Sequence, residues 1–411
     1  MTADWLMGNP RAAASLLGDR HDRRSTAPHQ FSAPQLSRKR AGPLNGFAWK
    51  LCGAGIVVWR LWATLHGRRR DADVVIYKVD RLGDWLLAGP SIERIVADGR
   101  ARGGTVVLWA ADESVLLRRW RESPSKVESF ALEPVGAIAK MRRAWKVMRL
   151  LATYRVRSFI CLRHAPEQIR DFVLRHVDAK EIRALSWVIT GGAPGEVPHE
   201  ILRHRAILKA AGLAPVDPRD LLPVLPGRTA THGGIVVIAP FSSGIIKDWT
   251  DESWVKVAQG MASRGFLLEL WVGPAQLSRA GALADKIAAS GYFPRASVKT
   301  GTLGELAAAI AGCAVVLSVD TFAAHLAVAM DVPVVSLVGG GQFGDFGPWQ
   351  RSARQRWLSN PLPCFGCDWR CTRSRVECME DISAESMLRE ADEALQCDVE
   401  RGAGASRSNR R

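Results

Sequence analysis

The chain has 411 residues, 47% apolar and 24% charged, which describes a soluble globular protein long enough for two domains with full-sized cores. Its formal charge of +15 suits nucleic acid, anionic lipid or a phosphorylated sugar without choosing among them. Part of the excess lies in the tails: residues 1–73 hold twelve Lys and Arg against five Asp and Glu, and residues 398–411 hold four against two.

Residues 1–45 mix Ala, Ser, Arg, His and Pro without periodicity and read as a disordered basic leader, with no signal-peptide layout. Residues 46–73 read as an amphipathic helix and basic linker. Phe47–His66 is apolar apart from Lys50, Arg60 and His66, and its longest uncharged run, Leu51–Trp59, is nine residues, too short to span a bilayer. Two readings stay open for it: a helix in the membrane interface, with Trp59 and Trp62 beside Arg68, Arg69 and Arg70, or a helix docked on the protein's own surface.

Residues 74–214 carry the alternation of a Rossmann-like domain with a parallel sheet. Val74–Tyr77 (VVIY) predicts a buried strand, Gly83 a turn with close backbone approach, and Trp85–Ile95 the following helix. Asp84 stands at that helix's N-terminus, at the carboxyl edge where open α/β sheets bind ligands; it is either an N-cap or a general base. Thr105–Ala110 predicts a strand, Glu113–Trp120 a helix, and Ile138–Leu151 a basic amphipathic helix, a solvated face or a surface for anionic lipid or acceptor. Ser158–Leu162 predicts a strand ending at Arg163 and His164, and Ala179–Leu185 begins a further unit.

Residues 215–233, rich in Pro and Gly, read as the linker. Residues 234–397 resume the alternation as a second Rossmann-like domain, with strands at Gly234–Pro240, Leu267–Val272, Ala314–Ser318 and Val332–Val338. Helices are expected at Asp251–Arg264, Arg279–Ser290, Leu303–Ala311 and Ala323–Met330; residues 398–411 read as a basic tail. Three loops after strands carry chemistry. Ser242, Ser243 and Gly244 form a polar turn before Lys247, a point charge able to hold a phosphate or simply a solvated Lys. Gly273 ends a strand shortly before Gln276. Asp320 and Thr321 open a helix, a ready anion site, with His325 facing back to the same helix end.

Four segments in order, DRLGDWLLAGPSIERI, PFSSGIIKDWTDESW, SVDTFAAHLAVAMDVPVVSLVGG and GPW at Gly347–Trp349, resemble glycosyltransferase family 9, the ADP-heptose:lipopolysaccharide heptosyltransferases. The resemblance implies an α/β GT-B fold of two Rossmann-like domains facing each other across a cleft, with acceptor on the first and nucleotide sugar on the second. It implies Asp84 as base, Lys247 as phosphate contact, and Asp320, Thr321 and His325 as the donor-diphosphate motif. Ser242, Ser243, Gly273 and Gln276 join them as donor-side candidates, and Arg81, Arg163 and His164 as acceptor-side candidates. The activity implied is inverting transfer of a heptose-like sugar from ADP-heptose to a lipopolysaccharide core or related envelope glycan. The expectation is catalysis without a cofactor, in the cytoplasm, peripheral to the inner face of the inner membrane, against an anionic membrane surface. GGGQFGDFGPW departs from the family's commoner Gly-Pro-Thr-Asp-Pro loop, and Gln276 stands where an acidic residue often meets the donor ribose. The alternatives are another nucleotide sugar used for polysaccharide or protein glycosylation, and, in another class, an inactive sugar-binding or a nucleic-acid-binding module. The loop that holds Cys364, Cys367, Cys371 and Cys378 lacks interleaved basic and aromatic repeats, which argues against nucleic acid.

Cys364, Cys367, Cys371 and Cys378 form a C-x2-C-x3-C-x6-C cluster that could hold structural zinc or iron, or remain as free thiols. A similar cluster occurs in part of the family, and the autotransporter-modifying heptosyltransferases resemble it in holding iron by cysteines. Cys52, Cys161, Cys313 and Cys397 lie among apolar neighbours.

Overall fold

The computed structural model describes residues 43–112, 124–132, 137–163, 167–185, 199–227, 234–291 and 296–408. The leader up to residue 42, the helix expected at Glu113–Trp120 and His164 lie outside them. The chain divides into two compact units between Leu222 and Pro223.

Among its described residues the N-terminal unit holds five parallel strands, β1 (Arg70–Lys78), β2 (Val106–Ala111), β3 (Lys126–Phe130), β4 (Tyr154–Cys161) and β5 (Ala179–Ala184), in the order β3-β2-β1-β4-β5. Strand order reverses between β1 and β4, so their carboxyl ends flank the crevice where such sheets take ligands. The helices among the described residues are α1 (Pro43–Leu65), α2 (Leu82–Ala101), α3 (Ala137–Thr153), α4 (Gln168–His176) and α5 (Glu200–Ala210). Alternate strand residues divide the two faces. Val75, Tyr77, Val107, Trp109 and Phe159 meet Ile56 of α1, Val147, Leu150 and Leu151 of α3 and Phe172 of α4 in one cluster. Val74 and Val106 face the other way, toward α2: a Cβ on Gly99 would lie 2.5 Å from Val106 Cγ2. Helix α2 can approach the sheet this closely only because Gly99 has no side chain there.

Among its described residues the C-terminal unit holds six parallel strands, β6 (Ile235–Ala239), β7 (Leu267–Trp271), β8 (Ser297–Lys299), β9 (Val315–Val319), β10 (Val334–Leu337) and β11 (Gln355–Leu358), in the order β11-β10-β9-β6-β7-β8. Its switch point lies between β6 and β9. The helices are α6 (Asp251–Ser263), α7 (Leu277–Ala289), α8 (Leu303–Gly312), α9 (Phe322–Ala329), the short α10 (Glu377–Glu380) and α11 (Ala384–Ser408). Val236, Ile238, Leu270, Leu317 and Leu337 pack on Trp254 and Met261 of α6, Leu283 and Ile287 of α7, and Met387 and Ala391 of α11. Helix α11 runs through residues 398–408, which the sequence reading places in a solvated tail. Among the described residues no helix is long and apolar enough to cross a membrane.

Gly99→Ala should destabilise the N-terminal unit by about 1–3 kcal/mol through overpacking against Val106. Urea unfolding followed by circular dichroism should show the earlier transition, and adding Val106→Ala should restore part of the loss.

Candidate functional site

The first cluster is built at the end of β1. Register parity turns Lys78 to the same face as Val74 and Ile76, where it is fully buried. Its Nζ donates to Leu162 O at 3.0 Å and lies 3.2 Å from Asp80 Oδ2 and 3.4 Å from Glu200 Oε1 at the start of α5. Burial opposes the ammonium's charge, but Asp80 and Glu200 outweigh it and hold Lys78 above its usual range. Asp80 is buried too, which favours its neutral form, yet Lys78 and Arg163 more than compensate and keep its carboxylate below the usual range. Arg163, just past β4, reaches Asp80 Oδ1 at 3.3 Å and donates to Val79 O, so this pair spans the switch point.

Asp84 stands one turn into the site. The N-cap of α2 is Arg81, which makes no side-chain cap; Asp84 is the third helical residue. The cap reading of Asp84 is therefore corrected: the helix begins at Leu82, and Gly83 is helical. Asp84 instead hydrogen-bonds Asp80, and burial, followed by the Asp80 charge, raises its proton affinity well above that of an ordinary carboxyl. Two carboxyls one turn apart are thus driven in opposite directions, Asp80 ionised and Asp84 holding the shared proton. Arg81 is exposed, while its backbone N–H donates to Asp80 Oδ1 at 3.2 Å.

The second cluster lies at the other switch point, in the loops after β6, β7, β9 and β10. Ser242 is buried; its N–H donates to Asp248 Oδ1 at 2.6 Å and its Oγ bonds Gly244, which curls the loop. Ser243 is exposed. Asp248 is held by Arg279, which also stacks 3.9 Å from the Phe241 ring centroid. Gln276 Nε2 donates to Ser242 O at 2.7 Å and its Oε1 accepts from Gly273 N at 3.3 Å, so Gln276 ties the β6 and β7 loops together. Lys247 lies 3.8 Å from Asp320, 3.4 Å from Gln342 Oε1 and 5.3 Å from the Trp369 ring centroid. Thr321 is the N-cap of α9 and makes no side-chain cap bond; its Oγ1 lies 3.0 Å from Ser318 Oγ. His325 is buried and set by two partners: Nδ1 accepts from Trp349 Nε1 at 2.7 Å, which leaves the ring proton on Nε2, 3.1 Å from Asp320 Oδ1. The structure therefore gathers Lys247, Asp320, Thr321 and His325, as the motif spacing implies. Trp349 belongs to the GPW motif, whose spacing gives it no role, and Asp248 and Arg279 lie outside the candidate residues.

The cysteine loop braces this cluster. Its backbone docks on the glycine run of the short turn Gly340–Gln342, with Gly366 N donating to Gly340 O at 2.7 Å and Asp368 N to Gly341 O at 2.9 Å. Phe365 and Trp369 fill the places where side chains on Gly340 and Gly341 would stand. That close approach accounts for the GGG that departs from the family loop. The four thiols do not assemble: Arg373 bonds Cys364, and Cys371 Sγ turns to Arg375 O at 3.8 Å. Among the described residues no three His, Cys, Asp or Glu are gathered closely enough to hold a metal. The thiols still feel one another, since burial and then Cys364, Cys367 and Cys371 push the Cys378 thiol up against a hydrogen bond from Gly340 that acts in the opposite sense. The donor chemistry fits zinc or iron; the arrangement of the thiols does not.

Residues 218–372 match the model of glycosyltransferase family 9 (heptosyltransferase), and the family resemblance read from the motifs is borne out. Over 124 residues the chain is 36% identical to lipopolysaccharide heptosyltransferase 1 of Pseudomonas aeruginosa, covering 30% of this chain and 33% of that protein. Over 139 residues it is 29% identical to lipopolysaccharide heptosyltransferase 3 of Escherichia coli, covering 32% and 40%. The matches thus span well under two thirds of these curated relatives. In structure it is similar to the glycosyl transferase family 9 protein from Veillonella parvula, with a TM-score of 0.58 at 14% identity over 79% of this chain and 97% of that one. It is similar as well to E. coli heptosyltransferase WaaC with ADP, with a TM-score of 0.55 at 19% identity over 78% and 99%. The expected GT-B α/β architecture is borne out by these structures and by the two parallel sheets with interleaved helices.

Gly340→Ala should force Phe365 off the glycine turn at a cost of about 1–3 kcal/mol, exposing the loop. Trypsin cleavage at Arg370, Arg373 or Arg375 should then quicken by about 5–100-fold; an unchanged cleavage rate would mean that the loop is not held by this contact.

Proposed function

We propose that the chain is an inverting glycosyltransferase that moves a heptose from ADP-heptose to a lipopolysaccharide core or related envelope glycan. The observation that carries this reading is the family match over residues 218–372, which covers Lys247, Asp320, Thr321 and His325. WaaC, solved with ADP and with ADP-2-deoxy-2-fluoro heptose, makes ADP the first nucleotide to try. In this reading Asp84 accepts the proton of the acceptor hydroxyl while its oxygen attacks the anomeric carbon opposite the leaving diphosphate. Its raised proton affinity makes Asp84 a stronger proton acceptor than an ordinary carboxylate. Lys247 and the N–H groups that open α9 stabilise the departing diphosphate. The heptose, the nucleotide and the acceptor are parts of the proposal, as is a place at the cytoplasmic face of the inner membrane. A metal at Cys364, Cys367, Cys371 and Cys378 would require those thiols to turn together and would fix the loop without entering the chemistry.

Calorimetric titration with ADP, UDP, GDP and dTDP tests the donor. ADP should bind and the others weakly, with Lys247→Ala lowering ADP affinity by about 10–100-fold; preference for another nucleotide would overturn the donor. Asp84→Asn should keep ADP binding and slow transfer by about 10²–10⁴-fold. Equal transfer by mutant and wild type would remove Asp84 from the mechanism.

The base must be deprotonated, so kcat/KM should rise with pH as Asp84 loses its proton. Asp80→Asn removes the negative neighbour that holds that proton and leaves Lys78 and Arg163 to favour the Asp84 anion. The acid limb should therefore move to lower pH; a limb that stays in place, or moves up, contradicts the coupling.

A further inference from the structure

Helix α1 is docked on its own unit and still leaves an apolar face outward. Ile56 and Ala63 are buried, a Cβ on Gly53 would lie 2.8 Å from His176 Nε2, and Arg60 Nε donates to Leu151 O at 3.2 Å. Trp59 and Trp145 join α1 to α3 with ring centroids 4.5 Å apart. On the outer side Val57, Val58, Leu61, Trp62 and Leu65 are between 44% and 75% exposed, at the spacing of one helical stripe. Helix α3 adds Ile138, Met141 and Trp145, each more than half exposed. Exposed apolar side chains this dense across two packed helices mark a surface that meets something other than water.

Charge identifies the occupant. No acidic residue occurs from Pro43 to Arg70 or from Ala137 to Arg157, while Arg68, Arg70, Lys140, Arg142 and Arg149 are exposed. Arg68 lies 5.8 Å from the Trp62 ring centroid, an amphipathic aromatic beside a cation. Long basic side chains around an apolar stripe can place their charges at lipid headgroups while the stripe enters the acyl boundary. Nucleic acid would use the charges and leave the aliphatic stripes wet; a second copy would bring the same positive charge against itself.

We infer that the outer faces of α1 and α3 together form a docking surface for an anionic lipid bilayer. The surface lies wholly within the N-terminal unit and rests on none of the transfer chemistry. It deepens the proposed location at the membrane, and its test needs neither donor nor acceptor, so either reading can fail without the other.

Sedimentation of the full chain with vesicles gives the measurement. The protein should pellet with phosphatidylglycerol-containing vesicles and much less with phosphatidylcholine alone. Leu61→Ser with Leu65→Ser should weaken anionic-vesicle binding by about tenfold or more. Arg142→Gln with Arg149→Gln should weaken it by a similar about tenfold factor and flatten its salt dependence. All four sites are exposed, so circular dichroism and the melting midpoint should stay at wild-type values. A protein left in the supernatant with anionic vesicles, or variants that bind as wild type does, would overturn the inference. So would vesicle binding that is absent while the Leu variants turn a dimer into a monomer, which would give the face to a second copy.

Discussion

The N-terminal site depends on a lysine placed where lysine is costly. Lys78 ends the central strand with no exposure, and an unpaired ammonium there would cost several kcal/mol. Asp80, Glu200 and the Leu162 carbonyl answer that charge from the loop after β1, from α5 and from the end of β4. The ion cluster therefore ties three elements together at the switch point of the sheet. It also fixes the charge of Asp80, and through Asp80 the proton on Asp84. The stability of the crevice and the basicity of its candidate base rest on the same few atoms.

The C-terminal site is organised differently, by packing from behind. Trp349, fully buried, fixes the His325 tautomer, His325 aims its remaining N–H at Asp320, and Asp320 lies beside Lys247. On the far side, Trp369 lies under Lys247 and occupies the space made by Gly341. The cysteine loop thereby reaches Lys247 through a ring contact, and it is itself held by backbone hydrogen bonds to Gly340 and Gly341. Its four thiols need not meet at a metal for the loop to matter to the site.

Local chemistry was legible in the sequence wherever neighbours in the chain were neighbours in the fold. The run VVIY with the basic turn after it, and the SVDTFAAH segment, each form one strand-loop-helix junction, as the residue pattern predicts. Strands β3, β8 and β11 were missed because KVESF, SVK and QRWL are short and lack the apolar content of an inner strand; each lies at or next to a sheet edge. Helix α5 escaped because its inner side carries Glu200, Arg203 and His204, which breaks the apolar stripe that a helix reading seeks. The same fact hid the site's control: Glu200 lies 122 residues from the lysine it pairs with. No spacing argument reaches across that distance.

The acidic residues near the proposed diphosphate site are less contradictory than their sign implies. Asp320 is engaged by His325 Nε2 and lies 3.8 Å from Lys247, so it acts as a local stand-in for an anion. In the proposed reaction a diphosphate would exchange with that carboxylate for the lysine, and His325 would keep Asp320 satisfied through the exchange. Binding would then gain the difference between two ion contacts, not the whole of one. Such a difference favours release as well as capture, which suits a site that must let its leaving group go after every transfer.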